Sequence, residues 1–267
     1  MKNKKGGNNN NNNSKNKKTI FTSNIICLVD NINLLKNNIN FPKFTYNGSD
    51  GFKTISFILN YGESIRADGG AMNYMSSNIT IQTQAGSIFN GIGRFFSGST
   101  IFYNIFSNNT NISSEIMFSQ PNIGSIGCFY IPAGKCFDFV SNTYICSTPN
   151  LDISTDLKLG GLLTGYGITF VKVTAKETSG LVWISSFGNV IDKVIETNQS
   201  IMIDNDIILG FDSDISIHTR SVGGLKSFLF SNECLVSEIT NNGNNPIHIY
   251  LQSKSEKSFK NYIIPKR

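Results

Sequence analysis

Two imidazoles, His218 and His248, are the only histidines in the 267-residue chain, and both fall in its last third. With Glu233 or Glu238 they could supply the two nitrogens and one carboxylate of a facial metal triad. Nothing in their spacing draws them together, and a metal reading is disfavoured. The five cysteines, Cys27, Cys128, Cys136, Cys146 and Cys234, form neither a CxxC pair nor an even secreted framework, and read as reduced, mostly buried thiols. A nucleophilic serine or cysteine needs a base and an orienter, yet no G-x-S-x-G elbow is present. The glycine-rich stretch Gly86 to Gly98 lacks the Lys-Ser/Thr ending of a phosphate loop. No residue is assigned as catalytic, metal-binding or cofactor-binding, no cofactor is expected, and the chain reads as a non-enzyme.

The same stretch carries the candidate interface. Ile88, Phe89, Ile92, Phe95, Phe96, Ile101, Phe102 and Phe106 place eight large apolar side chains within 19 residues, around the single Arg94. They either fill a crevice between structural units or present Arg94, Phe95 and Phe96 to another subunit or a membrane surface, since aromatics flanked by arginine are typical of interface cores.

The elements that must carry these residues come from an internal repeat. Gly62 to Gln84, Gly134 to Asp156 and Asn198 to Arg220 superpose without a gap, each spanning 23 residues, with starts 72 and 64 residues apart. Each opens on a turn, runs through a short apolar stretch and a second turn, and closes on an alternation: Ile79/Ile81, Leu151/Ile153 and Ile215/Ile217. That alternation is the period-2 signature of half-buried strands. Helices of ten or more residues are not expected. The fold class predicted is all-β, with three similar antiparallel β-sandwich units, 44–120, 121–187 and 188–253, around a pseudo-threefold axis. Such small units must share edges or faces to bury enough surface.

The ends differ in kind. Residues 1–40 form an Asn/Lys-rich extension with six consecutive asparagines, and residues 254–267 read as a basic C-terminal tail. Both tails are expected to be disordered. The net charge of +5 resolves into +6 for residues 1–18, +4 for residues 254–267 and −5 for the body between them. The Lys-rich tails could therefore hold nucleic acid weakly, in a salt-dependent way. The segment 20–35 is broken by Asn24, Asp30, Asn31 and Asn33 and is too short to span a bilayer. No apolar leader suggests secretion, whereas the acid-free first 29 residues keep a mitochondrial presequence open.

The span 44–253 resembles the mitochondrial-biogenesis family named for altered inheritance of mitochondria. The resemblance is carried by Leu59 to Glu63, by Gly70-Ala71-Met72, by Arg94 to Ser99, and more loosely by Leu181 to Gly188 and Ile247 to Ser253. Ser231 to Cys234 and Asn241 to Asn245 depart from the family's glycine-rich patterns there. The resemblance implies a fold similar to the tryptophan RNA-binding attenuator protein, with no established enzymatic activity. The function expected is a structural or interaction protein, a subunit or scaffold of a larger assembly that is membrane-associated or a virion. An RNA-binding module and an enzyme of unknown chemistry are the alternatives. Protein partners or self-association, a membrane surface without a spanning segment, and an intracellular reducing compartment, cytoplasmic or virion before mitochondrial, complete the expectation.

Overall fold

The structure is a computed structural model that describes residues 26–27, 41–49, 51–85, 102–156, 170–212, 216–221 and 235–264. Two strands precede the repeats: β1 (Ile26–Cys27) and β2 (Lys43–Asn47). The first unit holds β3 (Thr54–Leu59), β4 (Ser64–Asp68), β5 (Met72–Met75), β6 (Ile79–Ala85), β7 (Phe102–Asn108) and β8 (Ser114–Ser119). The second holds β9 (Ile126–Ile131), β10 (Cys136–Val140), β11 (Tyr144–Ser147), β12 (Asp152–Asp156), β13 (Phe170–Thr174) and β14 (Gly180–Ser185). The third holds β15 (Val190–Ile195), β16 (Ser200–Asp204), β17 (Ile208–Asp212), β18 (Ser216–Ser221), β19 (Leu235–Thr240) and β20 (Ile247–Gln252), followed by a helix, α1 (Glu256–Ile263).

One antiparallel pairing scheme recurs in all three units. The sixth strand takes the first and the third, and the fifth takes the second and the fourth. The register is the one read from the repeat. Its three starting residues, Gly62, Gly134 and Asn198, all hold positive φ, at 78°, 78° and 59°. A residue type that tolerates the left-handed region is needed at each of these turns, which carry the chain from one sheet to another, and glycine and asparagine supply it. Each turn amide then donates to the carbonyl that ends or follows the fifth strand: Gly62 to Asn108 (2.8 Å), Gly134 to Ala175 (2.6 Å) and Asn198 to Asn241 (2.9 Å).

The sheets do not stop at unit boundaries. β4 pairs with β11, and β10 with β17, so the second strand of one unit joins the third strand of the next. This produces a seven-stranded sheet, β1-β9-β14-β11-β4-β7-β6, and a six-stranded sheet, β12-β13-β10-β17-β20-β15. The remaining strands form a four-stranded sheet, β2-β3-β8-β5, and a three-stranded sheet, β16-β19-β18. Strands in the middle of the large sheets, such as β9 and β14, are buried along their whole length. They accordingly read as continuous apolar runs, IGCFYI and GLVWIS, and not as alternations.

The core crosses unit boundaries as well. Trp183, the fourth residue of β14, is fully buried, 5.0 Å from the Phe57 ring of the first unit and 5.1 Å from Phe44 of β2, both edge-to-face. Tyr250, the fourth residue of β20, lies 4.7 Å from Phe129 in the same edge-to-face manner. Phe57 and Phe129 are in turn the fourth residues of β3 and β9. The same contact therefore joins the first unit to the second and the second to the third. At the third equivalent pair of positions stand Met117 and an exposed Lys193.

Two expectations need correction. The alternation at Ile79 and Ile81 does not place both on a buried face, because Ile79 is buried and Ile81 exposed; β6 is the outermost strand of its sheet, where cover is thinnest. The C-terminal segment is not wholly a tail, since residues 256–263 form α1, capped by the Ser255 hydroxyl accepting from the Ser258 amide at 3.1 Å.

The cross-unit aromatic contacts predict where stability resides. Trp183→Ala and Phe129→Ala should each lower the unfolding free energy by about 3 to 5 kcal/mol in chemical denaturation. Lys193→Ala, at the position equivalent to Phe129, should change it by no more than about 0.5 kcal/mol.

Candidate functional site

Each unit enters its first strand through a glycine: Gly51 ahead of β3, Gly124 ahead of β9 and Gly188 ahead of β15. These segments converge. Gly51 and Phe52 both bridge to Gly124, and Gly124 bridges to Gly188. A chain of amides passes from unit to unit, with Gly124 N–H donating to the Gly51 carbonyl at 3.1 Å and Gly188 N–H to the Ile123 carbonyl at 3.0 Å. The step continues past the third unit, where Lys254 N–H donates to the Phe187 carbonyl at 3.2 Å and leads the backbone into α1. Glycine is required at the middle of this junction. A Cβ on Gly124 would run into the Ser186 carbonyl and the Gly188 backbone, which cannot yield as a flexible side chain would.

Between the junction and α1 lies a cavity of about 550 Å³. Its floor is main chain at Gly51, Gly124 and Gly188, and its walls are Ile123, Phe187 and the α1 residues Phe259 and Tyr262. Phe259, Tyr262 and Ile263 follow the i, i+3, i+4 spacing that places side chains on one helix face. Phe259 holds that face to the body through its ring, 5.1 Å from Phe187. Gln252 braces the base: it accepts from the Phe187 amide at 3.0 Å and donates to the Asp206 carbonyl at 2.9 Å. Lys257 of α1 reaches the Asp206 carboxylate at 3.3 Å. Among the described lining residues Lys254 is the sole charged side chain, with no carboxylate or imidazole next to it in the lining.

None of the candidate site residues singled out in the sequence is among the described lining residues. Arg94, Phe95 and Phe96 fall outside the described residues, as does Glu233. His218 sits on β18 with its Cα opposite Glu238 of β19, whereas His248 sits on β20 in a different sheet. The His248 Nδ1 meets the Asp192 carboxylate at 2.9 and 3.1 Å, an ordinary cross-strand ion pair between β20 and β15. That hydrogen bond raises the His248 pKa above its ordinary 6.5, against the opposing effect of partial burial. Among the described residues no group of three or more His, Cys, Asp and Glu is placed to hold a metal ion. Burial pushes the Cys146 thiol well above its ordinary range, which leaves it poorly nucleophilic.

The cavity itself was not anticipated from sequence. The signals available were the glycine ahead of each unit's first strand and the apolar spacing of Phe259, Tyr262 and Ile263 inside a lysine-rich segment.

A family model described as mitochondrial biogenesis AIM24 matches residues 44–254. The chain belongs to that family. The fold agrees with it: a crystal structure of a structural-genomics protein from Streptococcus pyogenes superposes with a TM-score of 0.62 at 17% identity, covering 83% of this chain and 97% of that one. Among curated proteins none matches. The family match ends at Lys254, so α1 lies beyond it.

Two predictions follow from this geometry. Gly124→Ala should cost about 3 kcal/mol through backbone overlap, whereas Gly62→Ala, which meets nothing within 4 Å, should cost about 1 to 2 kcal/mol through its left-handed backbone alone. The second concerns pH. A histidine whose folded pKa is raised stabilises the fold most below pH 6.5, and that contribution is lost as pH rises through the folded value. Unfolding free energy measured by denaturant should fall across that window, and Asp192→Asn should flatten the dependence.

Proposed function

We propose that this AIM24-family chain is a non-enzymatic interaction protein, a subunit or scaffold of a larger assembly, and that it engages its assembly at the pole where the three units converge. The observation that supports this reading is the cavity: main chain and apolar side chains line it, and α1 borders it with its own apolar face. Such a lining suits recognition by shape and apolar contact. General acid–base work would call for a pair of titratable groups within reach of one another, and Lys254 stands without such a companion among the described lining residues.

The family's description supports a mitochondrial setting ahead of the cytoplasmic or virion one, within a reducing compartment. The RNA-binding alternative draws on an attenuator-like fold and on the Lys-rich tails, residues 1–18, outside the described residues, and 254–267; the apolar lining of the cavity does not add to it. Size analysis of a nuclease-treated, detergent-solubilised native extract separates these readings. The chain should migrate in a complex well above its own 29.4 kDa, and Ile123→Asp should release it without lowering the thermal midpoint by more than a few degrees. Migration at the chain's own mass would contradict the proposal, and collapse of the complex on nuclease treatment would favour RNA.

A further inference from the structure

We propose that the pole formed by α1 and the junction rim is a docking surface for an anionic lipid bilayer, with the apolar face of α1 seated at the lipid–water interface. This rests on the reading of the chain as an interaction protein that docks at this pole.

The first observation is a concentration of exposed apolar side chains. On α1 and its C-terminal residue, Tyr262 is 85% exposed, Ile263 56% and Ile264 68%; on the rim, Phe52 is 70% exposed and Ile123 47%. Large apolar side chains scattered singly over a surface are ordinary, but contiguous ones mark a contact site. Ile123 and Tyr262 line the same cavity, Phe52 directly follows Gly51 of its floor, and Ile263 and Ile264 continue the chain from Tyr262.

The second observation is charge. The body, residues 19–253, carries −5, whereas residues 254–267 carry +4 and residues 1–18 a further +6, so the positive charge of the C-terminal end is set against an acidic body. Lys257 and Lys260 stand at i, i+3 spacing on α1, with about two-thirds of each side chain exposed. Lys257 pairs with Asp206 and Lys260 with Glu256, each a largely exposed ammonium group against a half-buried carboxylate. An amphipathic helix with lysines flanking an aromatic and aliphatic face lies in the plane of a membrane interface, and each lysine near an anionic surface adds to the attraction. A protein partner could also cover an apolar helix face. The coincidence of that face with a basic end that adjoins an acidic body favours anionic lipid headgroups. Two helical turns anchor weakly by themselves; the rim residues Phe52 and Ile123 extend the contact onto the body.

The test is co-sedimentation of the full-length purified protein with vesicles of phosphatidylcholine, with and without phosphatidylserine. Wild type should bind the anionic vesicles and release them as salt is raised. Tyr262→Asp with Ile263→Asp should lower binding by about tenfold or more while leaving the thermal midpoint and circular dichroism unchanged, because both side chains are exposed. Lys257→Glu with Lys260→Glu should weaken binding to anionic vesicles in particular. Absence of binding by wild type would overturn the proposal. So would binding unaffected by the apolar variant, which would assign it to the Lys-rich tails. Self-association in lipid-free solution that the apolar variant abolishes would assign the face to a second copy of the chain, and would also overturn it. Failure here is separable from failure of the interaction reading, because the vesicle experiment uses pure protein and lipid, whereas the assembly experiment is read in detergent extract.

Discussion

The contact on which the rest of the molecule depends is an aromatic side chain reaching out of one unit into the core of the one before it. Trp183 leaves the second unit to meet Phe57 of the first, and Tyr250 leaves the third to meet Phe129 of the second. Edge-to-face pairs of this kind contribute about 0.5 to 1.5 kcal/mol beyond the burial of their surface. The larger consequence is that neither unit has a closed core without its neighbour. A small antiparallel unit of six strands buries too little surface to stand alone, and the shared sheets through β4–β11 and β10–β17 couple backbone to the same seam. The seam runs twice and then stops. Lys193 occupies the place of Phe57 and Phe129, so the third unit presents an exposed strand, β15, where the others present a socket.

The same progression, carried to the unit starts, builds the pole. Each unit hands an amide to the carbonyl of the one before it, and the final hand-off, from Lys254 to Phe187, delivers the backbone to α1. Gly124 sits where two of these steps meet and has no room for a side chain. The cavity is thus a by-product of how repeated units are joined, closed on one side by a helix that lies beyond the family match. A scaffold common to a family and a C-terminal helix outside the match divide the labour: the repeats hold the shape, and α1 adds an apolar, basic surface to it.

Much of the fold was legible in the sequence because its determinants are local. Gly62, Gly134 and Asn198 mark turns that need positive φ, and the strands between them follow from their apolar patterning, so the register of the repeat could be read directly. The seam was not legible. Trp183 lies in an unbroken apolar run, and nothing in that run says that its partner is Phe57, well over a hundred residues earlier in another unit. Ile81 misled for the opposite reason, since period-2 alternation reports a strand but not whether the sheet has an outer neighbour there. At the C-terminus the lysines that suggested a solvated tail obscured the spacing of Phe259, Tyr262 and Ile263, which Ser255 caps into a helix. The histidines were visible as potential ligands, but the sheet order that parts His218 from His248 and gives the latter to Asp192 is a property of the tertiary fold.

The central claim, that the units are interlocked and fold as one body, is tested most directly by native-state hydrogen exchange in Trp183→Ala. If Trp183 completes the first unit's core, amides of β3 and β8 should lose protection together with those of β9 and β14, although no first-unit residue has been changed. Loss of protection confined to the second unit, with β3 and β8 unaffected, would contradict the account.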